Sequence, residues 1–305
     1  MLRLKDQFYQ PINERMRRLF WDIYFKPLIE LVDIPMPRLN SADDAILSAI
    51  RSGQVQYQDG LFSGQFNAKI SRQLAVFAKF DSRSKTWKGK APPSIIGASI
   101  IAEGKRKDLM ARMDFALDAA ERNINDALAS LSLGDSLPLP LMREAVIKDL
   151  WSVGVQPHIS ERAEAALRKD YTASQKLNIK NWQPEQVQRL REMVKRIQTT
   201  SDNSSIRELI QSEWNTSAAK AKFLARQETG LFFEAYGRQG AKSAGVRRYR
   251  WSGAKDIRER PRHRELEGTI VDLDSEGPIV DLKTGRRAHA GADYNCRCAK
   301  IWILD

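Results

Sequence analysis

WSGAKDIRERPRHRELEG (Trp251–Gly268), then a turn-rich insert, then GADYNCRC (Gly291–Cys298), is the stretch where the chain changes texture. His263 and His289, both cysteines and the densest arginine run lie within it. Upstream, apolar residues recur at helical spacing. From Val246 the sequence VRRYRW alternates as a strand does. The word Ile-Val-Asp-Leu occurs at 270–273 and again at 279–282, around Asp274–Gly277, which predicts a hairpin. Lys300–Leu304 reads as a last strand. The expected fold class is a mostly α-helical body with a small C-terminal α+β domain. The chain divides as 1–40, an N-terminal helical segment and linker; 41–244, the mainly α-helical body; and 245–305, the α+β module.

Working back from that module, Thr216–Ala244 is rich in alanine and lysine and reads as helix, broken by Gly230 and Gly237. Ser205-x-x-Glu208 has the form of a capping box. Ile159–Gln198 is helical, with Pro184 opening its second half. Ser94–Ser132 runs long without proline on an apolar stripe that includes Ile96, Ile100, Met113, Leu117, Ile124 and Leu128. Lys105, Arg106, Lys107 and Arg112 form a basic patch along it, and Gly134 and Pro138 close it. Phe80–Pro93 is a polar break. Phe66, Ile70, Leu74 and Phe77 share one helical face. Gln54–Tyr57 is a short strand turning at Asp59-Gly60. Ser41 caps a helix that continues through Asp43 and Asp44. Asp33–Asn40 is a linker. Phe8–Leu31 is an aromatic-rich helix that Pro27 kinks or ends.

The 305 residues are 42% hydrophobic, enough for a folded core. The formal charge of +12 and pI near 9.7 favour polyanionic partners, nucleic acid first. No stretch approaches the apolar length of a membrane span, and no secretory leader is expected from MLRLKDQFYQ. Two cysteines in one Cys-x-Cys are no disulfide framework, and the expectation is a chain made and kept in a reducing cytosol.

Ala225-Arg226-x-Glu228-Thr229, Trp251, Asp256-x-Arg258, His263, Gly268 and Asn295-Cys296-Arg297-Cys298 occur in that order. In order and spacing they resemble the C-terminal domain of the phage head morphogenesis, or minor head, proteins of the phage Mu F-like family. The likeness extends more loosely upstream. One departure is the lead-in to the last motif, where the family usually has a proline and this chain has AGADYN (Ala290–Asn295). The resemblance implies a low-copy virion protein inside the head, at or near the portal, assisting assembly and DNA packaging or delivery. Its implied partners are the portal protein, the major capsid or scaffold protein and packaged double-stranded DNA, with no membrane.

The residues of the module carry several chemistries. Asp256, Arg258, His263, Cys296 and Cys298 form a candidate structural cluster. His263, Cys296 and Cys298 offer three ligands that suit zinc, with Asp256 a conceivable fourth. The plainer alternative makes the cysteines small buried apolar residues and gives His263 a carboxylate or carbonyl partner. A nuclease or toxin-like enzyme would use the same cluster, with His263 as general base and Arg258 holding a phosphate. No P-loop, nucleophile elbow, HExxH or paired-carboxylate site supports catalysis. Ion pairing of Asp256 with Arg258, or Arg258 with Glu265, explains the same residues, and the expectation is a non-enzyme. Arg247, Arg248, Arg250, Arg260 and Arg262, interleaved with Tyr249 and Trp251, are candidate contacts to DNA phosphates. His158 is expected to be exposed, and His289 is a weak ligand candidate.

Overall fold

The computed structural model describes residues 5–32, 45–91, 93–197 and 203–304. The linker at 33–40, the Ser41 cap with Asp43 and Asp44, Pro92, and the side chains of Ile96 and Ile100 lie outside what it describes. A helical body and a small strand-rich C-terminal region are both present.

Helix α1 (Asp6–Phe20) passes through a π-helical turn (Trp21–Phe25) into α2 (Lys26–Val32). Pro27 was expected to kink or end this helix, yet the helix continues past it. The turn before it is already widened, with the Lys26 N–H reaching back to the Trp21 carbonyl. Phe8, Ile12, Met16, Phe20, Tyr24 and Leu28, every fourth residue, are all buried. Such a stripe drifts about 40° per step around a 3.6-residue helix, and the wider π turn takes part of that drift back.

Helix α3 (Ala45–Ser52) leads into β1 (Val55–Gln58) and β2 (Leu61–Gly64). Then come α4 (Ala68–Leu74), β3 (Ala78–Asp81) and β4 (Thr86–Gly89). The strands form one antiparallel sheet in the order β1-β2-β4-β3. The hairpin β3–β4 replaces the polar break read at Phe80–Pro93. The helix read through Phe77 stops at Leu74; it starts after Asn67, whose side chain accepts the Ile70 N–H. Ile46, Ile50, Val55, Phe62, Ile70, Leu74 and Ile95 make a common core under this sheet.

Four helices follow: α5 (Pro93–Ser130), α6 (Leu139–Trp151), α7 (Glu161–Ile197) and α8 (Asn203–Ser243). Helix α6 has no counterpart in the sequence reading. Pro184 lies inside α7 without dividing it. Ser205 sits inside α8 and not ahead of it, so the capping-box reading does not hold. Gly230 and Gly237 do not break α8; packing on a long helix outweighs the roughly 1 kcal/mol that each glycine costs.

The C-terminal region has β5 (Arg248–Ser252), the one-turn helix α9 (Pro261–Glu265), β6 (Ile270–Asp272), β7 (Ile279–Asp281), β8 (Arg286–Arg287) and β9 (Ala299–Ile303). The expected hairpin between the two Ile-Val-Asp-Leu words does not form. Strand β6 pairs with β5, which also pairs with β9, whereas β7 pairs with β8. Asp272 accepts the Asp274 N–H and Ser275 bonds the Asp272 carbonyl, so the chain turns away directly after β6.

The chain has two compact units that cut across the division into 1–40, 41–244 and 245–305. One comprises Met1–Arg18, Ser130–Trp182 and Ala218–Asp305; the other comprises Leu19–Ala129 and Gln183–Ser217. In the first, Phe8 meets Phe233, Tyr171 packs edge-on against Phe232, and the Trp302 indole N–H donates to Asp149. In the second, Trp214 packs against Trp21 and Phe25, and Arg191 reaches Asp118 and Glu121. Among the described residues no helix is long and apolar enough to cross a membrane.

Candidate functional site

Strand alternation sets the floor of the site. On β5, Tyr249 and Trp251 are fully buried while Arg248 and Arg250 face outward. Arg260 and Pro261 start α9, where proline suits the first turn. This places His263 inward, 3% exposed, edge-on to Trp251. From the far end of the sequence, a turn with Asn295 at φ 48° delivers Cys296, and Cys298 leads into β9. His263 Nδ1 lies 3.6 Å from Cys296 Sγ and 3.5 Å from Cys298 Sγ. All three candidate ligand atoms fall within 4.8 Å of one another. Both thiols are free.

The other face of the His263 ring meets a residue that the sequence reading overlooked. Asp293 Oδ2 is 3.1 Å from His263 Nε2 and accepts from Arg260 at 2.5 Å. Its Oδ1 accepts from Arg286 and from the Tyr294 N–H, each at 2.8 Å. Asp293 is buried, with cations on two sides. It sits in AGADYN, the loop that departs from the family pattern. A lone acid just before the Cys-x-Cys, within an arginine-rich module, was the available signal.

Asp256 was a conceivable fourth ligand and one of two candidate ion-pair partners of Arg258; the geometry supports neither role. Its carboxylate forms a two-pronged pair with Arg297. From Arg258 it accepts only the backbone N–H. Arg258 also makes no ion pair with Glu265, which binds Arg262. Glu259 is held by the Ala254 and Lys255 N–H groups. Gly253 permits this: a Cβ there would stand 2.0 Å from the Glu259 carboxylate.

The charges follow from these contacts. Burial opposes charge on His263, but its hydrogen bonds to Asp293 and Cys296 outweigh burial and lift its pKa to about 9. The hydrogen bond from Cys298 lowers the Cys296 thiol against burial, with His263 adding to the effect. Cys298, as donor to Cys296 and buried, is pushed up. Asp293 is held below the usual carboxylate range, its burial outweighed by His263, the Tyr294 N–H, Arg260 and Arg286.

The five arginines proposed for DNA separate into two groups. Arg247, Arg248 and Arg250 are exposed. Arg260 is engaged with Asp293 and the Tyr294 carbonyl, and Arg262 with Glu265 and the Ile279 carbonyl. A cavity beside the cluster is lined by His263, Cys296 and Cys298, with Lys222, Arg226, Arg258 and Arg260 around it. His289 is no surface ligand. It is buried, donating through Nε2 to the Ser275 carbonyl and meeting the Tyr249 hydroxyl at Nδ1. Burial lowers its pKa. His158 is exposed.

Residues 185–301 match the family model described as Phage Mu protein F like protein. That segment, well under half of the chain, is similar to the Phage Mu F-like family. An uncharacterized protein of Haemophilus influenzae is 30% identical over 103 residues, which cover 34% of this chain and 22% of that protein. Minor head protein GP7 of Bacillus phage SPP1 is 33% identical over 111 residues, covering 33% of this chain and 35% of that protein. The chain thus aligns with about a third or less of each relative. No solved structure matches the chain significantly.

Within the Mu F-like segment, the word Arg226-Gln-Glu-Thr229 on α8 joins helix to module. The Gln227 side chain accepts the Asn295 N–H at 2.5 Å. Glu228 accepts from Ser174 on α7, and Thr229 bonds Tyr171. Two turns further along α8, Glu234 pairs at 2.8 Å with the buried Lys300 of β9, whose ammonium also donates to the Ala290 carbonyl.

Proposed function

We propose that this chain is a structural component of a tailed-phage head, seated inside the capsid at or near the portal, where it assists assembly and touches packaged DNA. The reading rests on the match of residues 185–301 to the Phage Mu protein F like family and on the 33% identity over 111 residues to a protein named as a minor head protein. The chemistry agrees with it. The polar residues of the module are consumed in cross-links: Asp256 with Arg297, Asp293 with Arg260, Arg286 and His263, and Glu234 with Lys300. Groups tied this way hold a shape and are poorly placed to shuttle protons.

The DNA contact is assigned to phosphates. Lys222, Arg226 and Arg258 are exposed around one cavity, and Arg247 and Arg250 are exposed at and beside β5. Such contacts carry no base information and weaken steeply with salt.

The test is co-expression with the portal protein, followed by purification of portal rings. Retention of the chain on the rings supports the reading. A chain that stays off portal rings, and cleaves DNA or RNA in a manner lost on His263→Ala, would replace it with the nuclease reading.

A further inference from the structure

We propose that His263, Cys296 and Cys298 form a zinc site, with Nδ1 and the two thiolates as ligands and Asp293 as the group that orients the histidine. This goes beyond the head-protein reading and stands or falls separately from it.

The first argument is metric. A tetrahedral zinc with Zn–N about 2.05 Å and Zn–S about 2.3 Å sets an N···S edge of about 3.5 Å. The two N···S distances are 3.5 and 3.6 Å. Two thiols and an imidazole packed for apolar contact alone would have no reason to adopt both edges together.

The second argument is the shell around the three. His263 turns Nδ1 to the sulfurs and Nε2 to Asp293. A metal-bound histidine commonly donates its second ring N–H to a carboxylate, which fixes both tautomer and orientation. Asp293 is itself pinned by Arg260, Arg286 and the Tyr294 N–H.

The third argument is what the site joins. The ligands come from α9 and from the lead-in to β9, and no disulfide ties these segments. A metal bridging them would staple the end of the chain to the Arg260–Glu265 turn, as structural zinc does in small modules with little core of their own. Soft thiolates select zinc over magnesium or calcium. The three protein ligands leave one tetrahedral position without a protein ligand, and the cavity beside the cluster is lined by Arg226 and Arg258.

The test uses the full chain, purified under reducing conditions, with elemental analysis followed by replacement of the metal with cobalt. The expected result is one equivalent of zinc. The cobalt form should show the thiolate-to-cobalt band and the visible bands of a tetrahedral ion. Asp293→Asn should keep the tetrahedral spectrum but weaken binding about 10–100-fold in a chelator competition. Cys298→Ser should diminish the thiolate band. If the cysteine variants fail to fold, the wild-type cobalt spectrum and Asp293→Asn still decide. A folded, reduced wild-type chain with neither zinc nor a thiolate-to-cobalt band would overturn the proposal, as would an Asp293→Asn chain that binds as tightly as wild type.

Discussion

Replacing Asp293 with alanine would leave Arg260 and Arg286 without their shared counter-charge and free one face of His263. Both guanidiniums are partly exposed, so water recovers part of the loss. Asp293→Ala should still cost about 2–3 kcal/mol in denaturant unfolding, because it removes a buried carboxylate that accepts from Arg260, Arg286 and the Tyr294 N–H. An unchanged midpoint would show that the network does not hold the module. Glu228 should behave in the opposite sense. It is buried, and desolvation raises its pKa despite hydrogen bonds from Ser174 and Asn178. A carboxyl harder to ionise folded than unfolded subtracts stability above its folded pKa and nothing below its unfolded one. Glu228→Gln should therefore raise the melting temperature at pH 7, with the gain fading as the pH falls toward 4. A lower melting temperature at pH 7 would contradict this. At this scale the sequence revealed the His263, Cys296 and Cys298 cluster, because those residue types are rare here and crowd one segment. It did not reveal that Asp256 chooses Arg297 or that His263 chooses Asp293. Those choices depend on loops closing over 30 and 41 residues, which local spacing does not encode.

Strand pairing follows turn chemistry in this chain. The two Ile-Val-Asp-Leu words invite a mutual hairpin, but Gly277 sends the second one elsewhere. It sits at φ 82°, with the Ala288 backbone 2.5 Å from where a Cβ would be. Gly277→Ala should cost about 2 kcal/mol or more, through both the left-handed backbone and the clash. Hydrogen exchange should show the loss concentrated at β7 and β8; uniform loss across the molecule would argue against it. The long helices were legible from their apolar period. The hairpin β3–β4 was not, because Phe80 and Trp87, which pack together at 5.2 Å, are isolated apolar residues in a polar stretch. Helix α6 was missed because Gly134 and Pro138 read as a stop, although the helix starts directly after Pro138 and tolerates a proline in its first turn.

Across the whole molecule, helical body plus strand-rich end was readable, whereas the grouping into two units was not. Contacts between distant segments such as Phe8 with Phe233 leave no local periodicity to read. The net charge of +12 becomes specific only through where its cations lie. Lys222→Ala and Arg226→Ala should each weaken DNA binding alike for all sequences and lower the salt slope by about one. A slope unchanged in both variants would move the phosphate contacts elsewhere. The central claim is that the C-terminal module is built for attachment within a head. The most direct measurement is the number of copies of this chain in purified, DNA-filled heads made with the wild-type chain or with His263→Ala. A small fixed copy number for wild type, lost or sharply reduced for His263→Ala, is the predicted result. Heads that lack the wild-type chain altogether would contradict the account.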